Sequence, residues 1–321
     1  REGNRRGAPG AQGRSRKGAK DNLCGHFRTA RKTLVVKVRV YTPGDLLKGV
    51  SILPEEQGYE LKITGSFALQ GANSNSRPVF LVNGCLKVQS KAAQRDIDAD
   101  VYASSRIEGL TGPNVHPNYP AIPPFPELKE EWYRNQANYF YSGDTTFPQE
   151  AQKRDHGHGQ DAQKSDHEKG QGQEGRGDDV AQYDGVYFVD GDVQISGTYS
   201  GKAVIVATGD IEVTGDLQAK DGNRENNLLI LISLNPGGRV NIENHTVDAL
   251  IISSGTFSAQ GKAQLFGGII ARQLDPNGSV TITCDPALIE SNQDLLRQAF
   301  DSSSNPPRIR IENWSEQYPV F

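Results

Sequence analysis

The chain has 321 residues, of which 35% are hydrophobic and 23% charged, and its uninterrupted apolar runs, such as residues 228–232 and 79–82, are only strand-sized. A membrane-crossing helix needs about 20 apolar residues in succession, so no span is expected. The net charge of −4 is unevenly spread: Arg1, Arg5, Arg6, Arg14, Arg16, Lys17 and Lys20 face the single acid Glu2 in the first twenty residues, which leaves an acidic body. A short basic tail on such a body is an interaction arm or a solvated terminus, and no nucleic-acid partner is expected.

Glycine stands at 35 residues without a Gly-X-Y period, which excludes collagen and points to many tight turns. Cys24, Cys85 and Cys284 show no metal-ligand spacing, and an odd count argues against a disulfide framework. The absence of methionine leads us to expect a processed or truncated product.

Residues 1–32 carry the basic tail and are expected to be flexible, because the first twenty hold no large apolar side chain. From Thr33 the texture changes: Leu34, Val36, Val38 and Val40 alternate with their neighbours, as in a strand with one buried face. Short β-type runs continue through Val88, and residues 33–148 form the first part of the body. Six prolines between Pro113 and Pro126 mark an extended connector, and Leu128, Trp132, Gln136 and Phe140 then predict one helix over 127–141. Residues 149–180 form a polar low-complexity insertion; from 149 to 179 it holds no Val, Ile, Leu, Phe, Trp or Tyr and cannot pack. Residues 181–284 form the second part of the body. Within 285–321, Asp285-Pro286 offers an N-cap and first-turn proline for a helix through Phe300, and a strand over 308–314 follows.

A five-residue unit, Gly-x-φ-x-φ with φ apolar, begins at Gly65, Gly84, Gly191, Gly209, Gly238, Gly255 and Gly278. A more continuous apolar strand stands before most copies. Steps between neighbouring glycines are 19, 18, 29, 17 and 23 residues, and the step of 29 holds the polar stretch 216–227, an inserted loop. Such a period, with length variation confined to loops, marks stacked turns. Period-two alternation places each φ inside, and glycine ahead of the strand keeps side chains clear of the next turn. The fold expected is all-β: a single-chain parallel β-solenoid with a flexible basic N-terminal tail and two short peripheral helices. A β-sandwich is the rival, since Asn83-Gly84, Asp184-Gly185, Asp190-Gly191 and Asn277-Gly278 are pairs that hairpins favour.

The order of elements carries a resemblance: a strand after Ala30-Arg31-Lys32, Gly-spaced turns, a proline-rich stretch and helix ending in Trp132-Tyr133, then the run GVYFVDGDVQISG at 185–197. It is similar to PilX-type surface proteins, which are type IV pilus-associated and minor-pilin-like, and more weakly to bactofilin-like solenoids. The resemblance implies a cell-surface, pilus-associated role with pilin-like partners.

Other constellations bear on chemistry. Asp96, Asp98 and Asp100 alternate with Ile97, Ala99 and Val101, a row that suits calcium if it lines one strand face, although alternation alone predicts a solvated face. His156, His158, His167 and the Arg176-Gly177-Asp178 tripeptide lie in the insertion, which cannot hold ligands in fixed geometry by itself. Cys85 falls at an outward position and Cys284 at an inward one. Tyr41, Trp132, Tyr133, Tyr139 and Tyr141 are expected to be an apolar cap more than a sugar platform. No nucleophile elbow, metalloprotease, P-loop or dinucleotide motif is present. Catalytic residues, cofactors and metals are therefore not expected.

The function expected is that of a non-enzymatic extracellular structural protein. It would be a pilus-associated or self-assembling filament subunit, a homo-oligomer or a partner of pilin-like chains, joined through its solenoid ends and basic tail. The alternative is a cell-surface carbohydrate-binding or carbohydrate-cleaving β-helix.

Overall fold

The computed structural model describes residues 22–27, 32–74, 76–120, 122–148 and 180–317. In chain order, β1 (Asn22–Phe27) and β2 (Lys32–Tyr41) precede a 3-10 turn, Pro43–Lys48, and then β3 (Gly49–Ile52), β4 (Glu60–Ile63), β5 (Ser66–Gly71), β6 (Val79–Val82) and β7 (Cys85–Val88). Helix α1 (Lys91–Asp96), β8 (Asp100–Ala103), β9 (Ile107–Glu108), β10 (Val115–His116), α2 (Glu130–Gln136), β11 (Tyr139–Ser142) and β12 (Thr145–Phe147) complete the first half. The second half holds β13 (Val180–Asp190), β14 (Val193–Ala207), β15 (Ile211–Ala219), β16 (Leu228–Ser233), β17 (Arg239–Glu243), β18 (Thr246–Asp248), β19 (Leu250–Phe266) and β20 (Ile269–Cys284). Helices α3 (Pro286–Ser291) and α4 (Gln293–Ala299) and strand β21 (Arg308–Gln317) end the chain.

The chain divides into two units. The smaller comprises Arg1–Tyr41 and Pro307–Phe321, and the larger Thr42–Pro306. In the smaller unit β1, β2 and β21 form an antiparallel sheet with β2 central. Strand β1 falls inside the stretch expected to be a flexible tail, 1–32, so residues 22–27 are an exception to that reading. The basic residues Arg1, Arg5, Arg6, Arg14, Arg16, Lys17 and Lys20 lie outside the described residues, as do His156, His158, His167 and Arg176-Gly177-Asp178.

In the larger unit every strand pair among the described residues is parallel. That excludes the hairpin sandwich; Asn83-Gly84 and Asp190-Gly191 lie where one strand gives way to the next, and Asp184-Gly185 and Asn277-Gly278 lie inside the long strands β13 and β20. The strands stand in three columns. The first runs β11, β13, β14, β16, β19, β20, β3, β6, β8, β10, and its inner positions stack as Tyr187, Ile205, Leu231, Ile251, Ile269, Val50, Phe80 and Val101. The second passes from β12 through β14, β15, β17 and β19 to β20, and the three-stranded sheet β4-β7-β9 is separate from it. The third joins parts of β13, β14, β15, β18, β19 and β20 to β5.

The two sequence textures follow from burial. Second-column strands alternate because Val193, Ile195, Ile211, Val213, Val240 and Ile242 face the core while Gln194 and Glu212 face water. Whereas β6 and β8 bury only alternate positions fully, the central first-column strands, above all β16, are continuously apolar because both faces are covered, as in parallel sheets generally. Their outer positions, Phe188, Val206, Ile232, Ile252 and Ile270, form a second core with Leu46, Leu47, Tyr133, Ile289, Leu295, Leu296 and Phe300. Each such fully buried side chain contributes about 1.5–3 kcal/mol. Ser51 interrupts that outer row and donates to the Leu46 carbonyl at 2.8 Å, which lets the entering 3-10 turn lie close.

The coarse expectation of an all-β-dominated chain holds, but the stack is not a clean succession of equal turns. Chain order and stacking order differ. The first half starts beside β20, the last strand of the second half, and runs outward to β10. The chain then crosses to β11, at the far end, by residues 117–138. Nine strand spacings are about 43 Å, and the 15 non-helical residues of 117–138 with the seven of α2 reach about 60 Å, so the proline-rich connector suffices. It lies over the second core, where the Tyr133 hydroxyl donates to the Ala299 carbonyl at 2.6 Å.

Both helix expectations are amended. The span 127–141 is helical only over Glu130–Gln136, because Tyr139–Ser142 pairs with β13 instead. The C-terminal helix is two short ones; Asp285 caps the first by accepting from Ala287 N–H at 3.0 Å. Asn292, buried at their junction, donates to the Leu288 carbonyl at 2.8 Å. No helix among the described residues is long and apolar enough to cross a membrane.

Candidate functional site

The expected turn glycines fall into three columns. Gly191, Gly209, Gly238 and Gly255 share one corner, where register pairs Val193 with Ile211, Ile211 with Val240 and Val240 with Phe257. Gly278 stands over Gly261 at a different corner, and Gly65 stacks on Gly278. Gly84 belongs to the separate sheet, above Tyr59. The step of 23 between Gly255 and Gly278 is therefore not one turn; the register step there is from Gly261 to Gly278.

A feature that spacing alone does not reveal explains the first corner. Asp144 accepts from Asp192 N–H at 3.0 Å, Asp192 accepts from Asp210 N–H at 2.8 Å, and Asp210 accepts from Arg239 N–H at 3.0 Å. Each carboxylate occupies the space where a Cβ on the next glycine would lie: Asp144 near Gly191, Asp192 at Gly209 and Asp210 at Gly238. The Gly-Asp pairs at 143–144, 191–192 and 209–210 were the available signal. Asn138 and Asn244 repeat the device, accepting from Val186 N–H at 2.8 Å and Lys262 N–H at 3.0 Å. Gly278 has φ +111, a left-handed conformation that favours glycine. Asp210→Ala is expected to lower stability by about 1 kcal/mol through loss of its acceptor role, measured by urea unfolding.

The two ends of the stack differ. At one, β11, β12 and the start of β13 are the outermost strands among the described residues. There Phe147, Tyr183, Tyr187 and Tyr199 form a buried aromatic layer, with the Tyr139 and Tyr187 rings stacked at 4.4 Å. Burial pushes the Tyr187 phenol up to about 12. The hydroxyls of Tyr141 and Tyr183 are buried and have no partner among the described residues. At the other end the outermost strands, β9 and β10, are two residues long. Helix α1 buries Ala93 beside them, its N-cap Ser90 accepting from Ala93 N–H at 3.4 Å. Short strands and covering helices are common protections of an exposed sheet edge.

The expected aromatic cap is divided accordingly. Tyr139 and Tyr141 lie at the aromatic end, whereas Trp132 and Tyr133 pack laterally on the second core. Tyr41 belongs to the smaller unit.

The carboxylate row is corrected. Asp96 ends helix α1 and Asp100 begins β8, so the three do not share one strand face. Arg77 takes up two of them, with Nη2 at 3.0 Å from Asp98 and Nη1 at 3.9 Å from Asp100. Among the described residues no group of three or more His, Cys, Asp or Glu is placed to share a metal ion.

Cys85 is half-buried and its thiol donates to the Ser105 hydroxyl at 3.3 Å, whereas Cys284 is fully buried and donates to the Gly267 carbonyl at 3.1 Å. Burial pushes the Cys284 thiol up to about 12 from an ordinary value near 9. The folded state thus holds a proton that the unfolded state releases above pH 9, and this stability contribution is lost as pH rises from 9 towards 12. A thiol reagent at pH 8 is expected to label Cys85 at least about a hundredfold faster than Cys284, whose labelling requires opening of the core.

No family model matches the chain. No curated protein matches it either. Among solved structures, the fold resembles the competence-associated pilin ComZ from Thermus thermophilus, with a TM-score of 0.51 and 12% identity, over 90% of this chain and 79% of that one.

Proposed function

We propose that this chain is a non-enzymatic, extracellular, pilus-associated subunit whose larger unit is a parallel β-solenoid and whose partners are pilin-like chains. The likeness in fold to a competence-associated pilin, over 90% of the chain, is the observation that carries this reading. The PilX-type resemblance of the sequence agrees with it. On this reading the seven turn glycines serve the coil, and the basic residues 1–20 and the stack ends supply contacts between subunits. Parallel strand edges meeting end to end make a head-to-tail contact, which propagates unless it closes into a ring.

Co-sedimentation with purified pili of the source organism tests the proposal. The chain is expected to pellet with the filaments and to remain in the supernatant when pili are omitted or when residues 1–20 are deleted. Failure to pellet with filaments at any chain concentration overturns it. Pelleting alone, with filaments visible by negative stain, identifies a self-assembling subunit instead of a pilus-dependent one.

A further inference from the structure

The turn that departs most from the regular step contains the polar loop 220–227, and Arg224 of that loop is unusually well held. Its Nε donates to Asp248 Oδ1 at 2.9 Å, while Asp248 Oδ2 accepts from Ala219 N–H at 3.0 Å. The Asp248 side chain is only 4% exposed, so a buried carboxylate grips the guanidinium through one nitrogen. Phe266 fixes its plane, with the guanidinium carbon 4.0 Å from the ring centroid. The two Nη nitrogens bond no described residue, the side chain is 33% exposed, and Arg224 lines a cavity of about 290 Å³. A guanidinium immobilised in this way presents a forked pair of donors that matches a carboxylate or phosphate.

The other walls decide between anions. Glu225 and Asp285 line the same cavity and repel a dianion such as phosphate more than a single carboxylate. Asn223 and Thr283 offer groups suited to hydroxyls, and Leu288 offers an apolar surface for C–H faces. Ala72 borders both this cavity and a polar one of about 530 Å³, whose lining includes Gln70, Ser76 and Asp98. Together they give room for a chain of hydroxyl-bearing rings.

We propose that this corner groove binds an acidic oligosaccharide, with Arg224 receiving the carboxylate of a uronic-acid ring. The site needs only the groove, so it stands or falls independently of the pilus reading.

Calorimetric titration of the whole chain with trigalacturonate, beside neutral maltotriose and the tripeptide triglycine, tests the proposal. Trigalacturonate is expected to bind with Kd below about 1 mM, at least tenfold tighter than either comparator. Arg224→Lys keeps the charge but loses the fork, and is expected to weaken binding about tenfold while the melting temperature changes by no more than about 2 °C. Glu225→Gln removes a repelling carboxylate and is expected to tighten binding about threefold. Absence of trigalacturonate binding at about 10 mM, equal binding of maltotriose, or an unchanged affinity in Arg224→Lys overturns the proposal. Tighter binding of triglycine identifies a peptide-carboxylate site and overturns the sugar assignment.

Discussion

Gly268→Ala is expected to destabilise the larger unit by about 3 kcal/mol or more, seen as a large fall in the urea midpoint with an unchanged slope. A Cβ at Gly268 would overlap the Leu47 carbonyl, where the entering 3-10 turn crosses the start of β20. Both contact partners are backbone, so no side-chain rotation relieves the overlap. This crossing lies where the first half joins the second, with Ile270 paired to Ser51. Gly49→Ala is expected to act similarly, because its Cβ would overlap the Val79 carbonyl. Gly58→Ala is the contrast: open space surrounds that position, and only its φ of +85 opposes the substitution. The expected cost there is about 1 kcal/mol.

Asp248→Ala is the second large effect expected, at about 3 kcal/mol. The substitution leaves Ala219 N–H without its acceptor and Arg224 without its counter-charge, on a carboxylate that is 4% exposed. Burial of the partner is incomplete, which keeps the expected loss at the lower end for broken buried pairs. Loop 220–227 is expected to open first, so hydrogen exchange at its amides should accelerate more than at those of β16. Similar acceleration in both segments would contradict a local clamp.

Much of the fold was legible because alternation and burial are local. In Val193–Ile195 and Ile211–Val213, period two marked a half-buried strand, and in 228–232 a continuous apolar run marked one buried on both faces. The column to which each unit belongs was not legible. The same five-residue pattern follows any corner that leads into a half-buried strand, so Gly278 and Gly255 looked equivalent. Stacking order was hidden for another reason: pairing of β3 with β20 joins residues more than two hundred positions apart.

The chemistry was legible unevenly. Asp96–Asp100 alternates with apolar residues in a way that mimics a strand face. The stronger signal lay upstream, where Ser90 precedes the helix formers Lys91, Ala92, Ala93 and Gln94. At Tyr139–Ser142 edge pairing overrode a helical spacing. The carboxylate ladder was written in the Gly-Asp pairs, but its role depends on contact between successive turns. Arg224 carried no local signal, since its partners Asp248 and Phe266 come from later strands.

Immunogold electron microscopy of intact cells, with antibody raised against the larger unit, addresses the central claim most directly. The account predicts gold along surface filaments and its loss in cells unable to assemble pili. Gold confined to the cytoplasm, or spread on the surface regardless of pili, would contradict a pilus-associated subunit.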